Sequence, residues 1–292
     1  DEPTTKKGLI EEYETKRNRI IQKVAEDEKG ELVGFYWVVR EKVITDRMQL
    51  YLFVKPEQRR QGIGFCMYED VMRALEETQA KCLRVSIQDT CPECRSFAGR
   101  CGFTEKLHRI GMALDLDAFN DHPYGEIITR LTGEGFQFTS LQELGNTEEA
   151  QHKLYVLNDT AASTTPGSDD EHPWGSFEDF QKSVCQSEWY KPDGQMVVVD
   201  TASGAWAAMS AITRFEGSTY AYNLFTGVDM PYRGRKLAQA VKVQALRYAR
   251  DVLKVHEVRT HHNAMNHPMI AIDRKLGYHQ IRGIYLMEKM LV

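Results

Sequence analysis

The sequence predicts an α/β fold of two similar units, each built on a mixed sheet rather than on a regular alternation of strands and helices. Two observations predict it. The segments at Val54 and Val228, 174 residues apart, both lead from a strand through an Arg-rich loop into an amphipathic helix. A Gly-aromatic pair follows each helix at nearly the same offset, at Gly102-Phe103 and Gly277-Tyr278. An offset kept over about 80 residues indicates an internal repeat.

The elements of each unit follow from residue periodicity. In the first unit, apolar runs and alternation predict strands at 19–26, 31–40, 48–54 and 83–87. They predict a helix at 62–77. In the second unit the same patterns predict strands at 195–200, 205–212, 220–228 and 257–261. They predict a helix at 234–251. A second helix is expected to end near each Gly-aromatic pair, and two closing strands are expected after it.

The segment between the units predicts a linker. Asn120-Asp121-His122-Pro123 interrupts the pattern, and a short helix is expected at about 124–131. The predicted domains are a first repeat at 1–118, a linker helix at 119–133 and a second repeat at 134–292. The second repeat begins with a strand near 136–139 and a helix near 147–158. The first has no counterpart, so we expect it to lack its N-terminal strand and helix.

Composition limits the classes of function. The 292 residues are 42% apolar and 27% charged, as in globular proteins. The net charge of −5 argues against a nucleic-acid binder. No apolar run approaches the roughly 20 residues that a membrane span needs. The six cysteines need not pair in a chain of this length, so reduced thiols and a cytoplasmic protein are expected. A monomer or homodimer is expected as well.

The repeated loop predicts a phosphate-binding site. It ends a strand and begins a helix, so backbone N–H groups and the helix dipole face the turn. Gly62 and Gly64 allow a diphosphate to approach closely because they have no Cβ. Charge-assisted hydrogen bonds can come from Arg59, Arg60, Arg233 and Arg235. The loop is neither a Walker A sequence nor a dinucleotide-binding fingerprint.

Both loops resemble the acyl-coenzyme A loop of the GNAT acetyltransferase superfamily, which reads Q/R-x-x-G-x-G/A. Arg59–Gly64 matches it fully, whereas Arg233–Ala238 has Lys236 in place of the first Gly. The family pattern N-x-x-A-x-x-L-Y-x-x-x-G-F resembles Asn266–Tyr278, and Cys91 stands in the place of its Asn in the first unit. The tandem layout is similar to tandem GNAT proteins with the architecture of mycothiol synthases.

The resemblance implies an N-acetyltransferase with two acyl-CoA N-acyltransferase domains. Acetyl-CoA, or another acyl-CoA, would be the co-substrate, and the acetyl group would pass directly to the amine of a small molecule or peptide in a ternary complex. A strand bulge near the loop would aim a backbone N–H at the thioester oxygen. The implied cofactor-binding residues are Phe53, Val54, Arg59, Arg60, Gln61, Gly62, Ile63, Gly64, Thr226, Gly227, Val228, Arg233, Gly234, Arg235, Lys236, Leu237, Ala238, Asn263 and Asn266.

The resemblance leaves the acid and base open. Many relatives place a Glu six residues before the strand-end Val, where this chain has Met48 and Tyr222. Met48 cannot accept a proton, but Tyr222 can relay one or orient water, so Tyr222 is the candidate catalytic residue. Asp273 takes the place of the family's Tyr acid, unless it is a surface carboxylate. We expect the second unit to hold the active site.

Other signals leave alternatives open. Cys91-Pro92-Glu93-Cys94 has zinc-like spacing, but a second Cys pair is lacking and no metal site is predicted. His261 and His262 indicate a base, a metal ligand or polar residues at a sheet edge. The acidic run 168–171 suggests a cationic acceptor. The alternative functions are a non-catalytic acyl-CoA-binding module and mycothiol synthase-type acetylation of a cysteinyl sugar.

Overall fold

The structure is a computed structural model that describes residues 19–41, 46–167 and 174–291. It divides into two compact units. The N-terminal unit contains the described residues up to 109 together with those from 282 onward, and the C-terminal unit contains residues 110–281. Residues 1–18 and the acidic run 168–171 lie outside the described residues. The missing strand and helix of the first repeat and the cationic acceptor therefore stay predictions.

The first half of the chain contains five strands and two helices among its described residues. In chain order they are β1 (Arg19–Glu26), β2 (Leu32–Arg40), β3 (Arg47–Val54), α1 (Ile63–Glu76), β4 (Cys82–Gln88), α2 (Pro92–Arg100) and β5 (Thr104–Asp115). A 3₁₀ turn, Pro56–Gln58, connects β3 to the loop before α1.

The second half repeats this order after three additional elements. These are α3 (His122–Gly133), β6 (Phe136–Ser140) and α4 (Glu148–Ser163). They precede α5 (Phe177–Phe180), β7 (Gln195–Asp200), β8 (Trp206–Thr213), β9 (Ala221–Val228), α6 (Leu237–Asp251), β10 (Glu257–Asn263), α7 (His267–Leu276) and β11 (His279–Met290). The 3₁₀ turn Met230–Tyr232 again follows the third strand of the repeat.

Each unit has a mixed sheet, as predicted. In the N-terminal unit the strand order is β1-β2-β3-β4-β11-β5, and β3 and β4 are parallel. In the C-terminal unit the order is β5-β10-β9-β8-β7-β6, and β9 and β10 are parallel. The described pairs from β1 to β3 and from β6 to β9 are antiparallel.

The closing strands differ from the prediction. Each Gly-aromatic pair leads into one long strand, β5 or β11, of 12 residues, instead of two. Ile284–Met290 of β11 pairs with Cys82–Gln88 of β4, so the N-terminal unit takes a strand from the far end of the chain. The predicted domains are continuous ranges, whereas the compact units are not. The repeat boundaries stay a prediction, because repeats follow sequence similarity and compact units follow contacts.

Separate clusters of buried side chains stabilise the units. In the N-terminal unit Tyr36, Met48 and Val71 join β2, β3 and α1. In the C-terminal unit Ala208 and Val241 pack one face of the sheet against α6, while the opposite face packs against α4 and α5. No helix in the described ranges has the length and apolar composition to cross a bilayer.

Candidate functional site

The two repeated loops have one backbone conformation. Arg60 and Gly62 have positive φ angles of 65° and 86° in the first loop, and Gly234 and Lys236 have 80° and 69° in the second. These are the positions that the offset of 174 residues aligns. Each loop therefore has one glycine and one larger residue in the left-handed region, in opposite order.

A matched arginine anchors each loop to the end of its strand. The Nε of Arg59 donates to the carbonyl oxygen of Val54 at 3.3 Å, and the Nε of Arg233 donates to that of Val228 at 3.1 Å. Arg233 also donates to the Thr164 hydroxyl, and Arg59 lies 4.0 Å from the Glu93 carboxylate. Both predicted phosphate ligands therefore also hold the shape of the loop.

The helix starts beside these loops offer free donors. Neither α1 nor α6 has a side-chain cap. Within the described ranges no acceptor takes the backbone N–H of Ile63 or Gly64, nor that of Leu237 or Ala238. Uncapped N–H groups at the positive end of a helix fit a phosphate group. The free donors of both loops therefore fit the predicted diphosphate.

Parallel strands separate beside each loop. The register of β3 and β4 includes only Arg47–Gln49 against Cys82–Arg84. That of β9 and β10 includes only Ala221–Tyr222 against Val258–Arg259. Toward the loop the strands no longer pair, which leaves a slot between them in each unit. Thr226–Val228 pair with β8 but lie beyond the pairing of β9 with β10, and their contact with a cofactor arm stays a prediction.

A bulge distinguishes the second slot from the first. On β9, Phe225 pairs with Ala211 and Asn223 pairs with Ile212, so Leu224 is an extra residue. On β3 the register with β2 is uninterrupted from Met48 to Val54. An extra residue in one strand leaves backbone groups that take no part in the hydrogen bonds to the neighbouring strand. Of the two third strands, β9 alone therefore has the predicted bulge.

Asn223 supports the bulge from inside the sheet. Its buried amide donates to the Ser210 hydroxyl at 3.0 Å and to the Ala211 carbonyl at 2.8 Å. Thr226 donates to its amide oxygen at 3.2 Å, and Thr260 donates to its backbone carbonyl at 3.0 Å. A buried amide with these partners fixes the strand geometry.

Tyr222 and His261 form a hydrogen-bonded pair across the slot. The Tyr222 hydroxyl contacts the His261 Nδ1, and both side chains are partly buried. The ring of Phe215 lies 6.2 Å from that of Tyr222 and 6.3 Å from that of Trp189. A phenol bonded to an imidazole is a proton-relay arrangement at a partly open site.

His262 points to the opposite face of β10 and joins a buried ion pair. Asp273 contacts the ammonium of Lys242 and accepts from, or shares a proton with, the Nε2 of His262 at 2.6 Å. Lys242 and Asp273 have no exposed side-chain surface. Burial raises the pKa of Asp273, but Lys242 and His262 outweigh it and hold that pKa below its ordinary value.

Two sequence interpretations of this region are wrong. Asp273 is not a surface carboxylate, because α6 and β10 enclose it. His261 and His262 are not at a sheet edge, because β10 lies between β5 and β9. Lys242 is not among the predicted site residues, although its place between Val241 and Val243 on an apolar helix face is a signal for a buried charge. Asn223 had no comparable signal.

The other predicted cofactor residues lie around the two slots. Phe53 is about half exposed and its ring lies 4.9 Å from that of Phe35, while Gln61 donates to Gln58. A Cβ at Gly227 would lie 2.6 Å from that of Ala161, so glycine is required there. The guanidinium of Arg235 lies over the Phe136 ring, 4.6 Å from its centroid.

Two predicted amides already have protein partners. Asn266 is the N-cap of α7 and accepts from the Met269 N–H at 3.3 Å. Asn263 donates to the Gly167 carbonyl at 2.8 Å and accepts from the Met265 N–H. Asn263 therefore holds the segment after α4 against the end of β10, and its role toward a cofactor stays a prediction.

The cysteines depart from the expectation of reduced thiols. Cys91 and Cys94 form a disulfide at the start of α2. Cys66, Cys82, Cys101 and Cys185 are free. The ligand atoms of Cys91, Glu93 and Cys94 lie within 4.8 Å of one another, but a disulfide offers no thiolate to a metal.

Comparisons with known proteins agree with this geometry. Residues 18–105 match the family model of the acetyltransferase (GNAT) domain. No curated protein matches the chain. The fold is similar to that of a GCN5-related N-acetyltransferase from Sphaerobacter thermophilus, with 18% identity and a TM-score of 0.71 over 98% of this chain and 85% of that one.

Two further solved structures have the same fold. A tandem GNAT protein from the clavulanic acid biosynthesis pathway has 19% identity and a TM-score of 0.66 over 92% of this chain and 82% of that one. A glucosamine N-acetyltransferase region of a fungal β-N-acetylglucosaminidase has 16% identity and a TM-score of 0.75 over 99% of this chain and 35% of that one. Residues 18–105 are therefore a GNAT acetyltransferase domain, and nearly the whole chain has the fold of solved GNAT proteins, a tandem one among them.

Proposed function

We propose that the protein is an acetyl-CoA-dependent N-acetyltransferase. Its C-terminal unit would transfer the acetyl group directly to the amine of a small molecule or peptide in a ternary complex. The observation that carries the proposal is the combination, in one slot, of the bulge at Leu224 and the Tyr222–His261 pair. The slot of the N-terminal unit has a regular strand and a fully buried Met48 in the matching position.

The second loop suits the diphosphate of acetyl-CoA. The N–H groups of Leu237 and Ala238 and the charges of Arg235 and Lys236 would hold it, and Thr226–Val228 would flank the arm. When bound, acetyl-CoA supplies an activated acetyl group. The backbone of the bulge would donate to the oxygen on which negative charge develops, because a fixed dipole stabilises such charge.

Tyr222 and His261 would remove the proton from the attacking amine. The Tyr222 hydroxyl donates to His261 Nδ1 when the imidazole is neutral and carries its proton on Nε2. The phenol oxygen can then accept a proton from the amine while its own proton moves to His261. This relay replaces the Glu that many relatives have at the position of Tyr222.

A binding role without transfer is the second candidate, and it applies to the N-terminal unit. Its loop has the full family sequence Arg59–Gly64 and free N–H groups at Ile63 and Gly64. It has no bulge on β3 and no titratable side chain at Met48. We infer that this unit holds a coenzyme A derivative without catalysing transfer.

Thiol release from acetyl-CoA over a panel of amines tests the proposal. The panel contains amino sugars, a cysteinyl sugar, polyamines and peptides with a free N-terminus, since one structural neighbour is a glucosamine N-acetyltransferase region. Tyr222→Phe and His261→Gln should each lower kcat about 100-fold, because an acid–base group supplies that much. Unchanged kcat in both variants would remove the relay from the mechanism.

The matched arginines test which unit catalyses transfer. Arg59→Ala and Arg233→Ala remove the same contact to a strand-end carbonyl in the two loops. Arg233→Ala should reduce acceptor-dependent turnover more than Arg59→Ala does. The opposite order would assign transfer to the N-terminal unit. Thermal unfolding of both variants controls for loss of structure.

A further inference from the structure

The Cys91–Cys94 disulfide occupies the first turn of α2 in the N-terminal unit. Cys91 is the N-cap of that helix, as Asn266 is of α7 in the other unit. Both cysteines are partly exposed. A sulfur pair thus lies where the second unit has an amide, just after the end of β4, where the Cys91 N–H donates to the Gln88 carbonyl at 3.0 Å.

The phosphate loop lies next to this disulfide. The guanidinium of Arg59 is 4.0 Å from the carboxylate of Glu93, which lies between the two cysteines. A Cβ at Gly64 would be 3.5 Å from the ring of Phe97, one turn further along α2. Arg60 has no hydrogen bond or ion pair with the described chain, so its charge is available to a ligand.

The chemistry of this pair favours exchange over a structural role. A disulfide that encloses two intervening residues removes little chain entropy from the unfolded state. A Cys-x-x-Cys pair at a helix N-terminus, near arginines, has a stabilised thiolate and therefore a good leaving group. By contrast, burial raises the pKa of Cys82 and Cys101, and raises that of Cys185 to about 11.

We propose that the Cys91–Cys94 disulfide is a thiol-exchange site for coenzyme A held on the first phosphate loop. The proposal rests on coenzyme A binding by Arg59–Gly64, which the proposed function includes. The thiolate of coenzyme A attacks one sulfur and a mixed disulfide forms. The bond between Cys91 and Cys94 breaks, and the other cysteine leaves as a thiolate that takes up a proton. The step needs no external oxidant, because one disulfide replaces another.

The experiment compares two thiols that share one reactive arm. Full-length protein with Cys66→Ser, which removes the exposed free cysteine, is mixed with excess coenzyme A or with pantetheine, which lacks the diphosphate. Acid quenching, alkylation with N-ethylmaleimide and peptide mass spectrometry then count adducts on the peptide that contains Cys91 and Cys94. Coenzyme A should form the adduct about tenfold faster, since the loop contributes charge-assisted contacts.

Arg60→Ala provides the matched control and should bring the coenzyme A rate to that of pantetheine. Equal rates for the two thiols in the parent protein would overturn the proposal. So would a disulfide that resists both thiols, or a stoichiometric zinc ion in the isolated protein. Calorimetry of coenzyme A binding to Cys91→Ser/Cys94→Ser tests the cofactor site separately, because serine cannot exchange. Binding there without exchange in the parent protein would reject this proposal and leave the proposed function standing.

Discussion

Gly62 and Lys236 occupy the same left-handed backbone position, with φ angles of 86° and 69°, at the N-caps of equivalent helices. Glycine adopts this conformation freely, whereas a side chain there costs about 1 kcal/mol. The second loop therefore keeps a strained lysine where the first has a glycine. Strained residues persist where the surroundings or the function require them. In the proposed function Lys236 gives the transferring unit an additional cation beside the diphosphate.

Lys236→Gly should stabilise the protein and weaken acetyl-CoA binding. Relief of strain should raise the free energy of unfolding by about 0.5 kcal/mol, after subtracting the greater freedom of glycine in the unfolded chain. Loss of the ammonium should raise KM for acetyl-CoA about tenfold. Urea denaturation and steady-state kinetics measure the two effects. Gly62→Lys is the reverse change and should destabilise, although no atom lies within 4 Å of a Cβ there. A less stable Lys236→Gly protein would contradict the strain at this position.

We expect the free energy of unfolding to depend strongly on the buried ion pair between Lys242 and Asp273. Lys242→Met should lower the free energy of unfolding by about 3–5 kcal/mol, because it leaves a buried carboxylate without its ammonium. Lys242→Met/Asp273→Leu should recover most of that loss, since no charge remains buried. Urea denaturation measures both. If the double variant is as unstable as the single one, the loss comes from packing rather than from charge.

We expect protonation of Asp121 to account for part of the loss of stability of the C-terminal unit in acid. The hydrogen bond from Arg247, at 2.7 Å, and then the contact with Arg250 hold the pKa of Asp121 below its ordinary 3.8. Because the folded pKa is depressed, its stabilisation is present above the unfolded pKa and is lost as pH falls through the folded pKa.

Asp121→Asn should therefore be less stable than the parent by about 1 kcal/mol at pH 7. The difference should shrink from about pH 4 downward as the parent carboxylate takes up its proton. Chemical denaturation at several pH values measures the difference. A gap that stays constant from pH 7 to pH 2 would show that the charge of Asp121 is not its cause.

Gly283 in the N-terminal unit lies where the structure has no room for a larger side chain. A Cβ there would lie 2.2 Å from the carbonyl oxygen of Arg109 and 2.7 Å from the carboxylate of Asp89. Asp89 also accepts from the Gly283 N–H at 3.0 Å, so the backbone cannot move away without losing a bond. Gly283→Ala should destabilise by about 1–3 kcal/mol.

Gly99 is the control for this substitution, because it lies in α2 and a Cβ there would meet no atom within 4 Å. Gly99→Ala should stabilise by about 0.5–1 kcal/mol through helix propensity. Thermal unfolding of the two variants separates crowding from backbone freedom. Equal effects of the two changes would remove the steric explanation.

The sequence predicts the features that depend on local pattern. The offset between Val54 and Val228 predicts two loops, and their backbone angles agree at both left-handed positions. Chain periodicity predicts β9 and α6 closely, because both have one buried face. The pairing of Lys242 with Asp273 is not predicted, since the two residues lie 31 positions apart on different helices and no local pattern joins them.

The pairing of β11 with β4 and the bulge on β9 could not be predicted from the sequence, and the reasons are related. β5 and β11 follow equivalent Gly-aromatic pairs and have similar composition, so periodicity does not decide which one pairs with β4. The extra residue at Leu224 leaves the apolar pattern of β9 intact and shows only in the register with β8. Long-range pairing fixes both features, and a single sequence carries no record of it.

The pairing of β11 with β4 has a consequence for biosynthesis. The ribosome completes β4 at Gln88, but its neighbour from Ile284 to Met290 is made some 200 residues later. Until then the backbone groups on that side of β4 have no partner from β11, and an unpaired strand edge promotes association with other chains. We expect the unit that is translated first to be the last to finish folding. We also expect a single cut between the repeats to separate β4 from its partner β11.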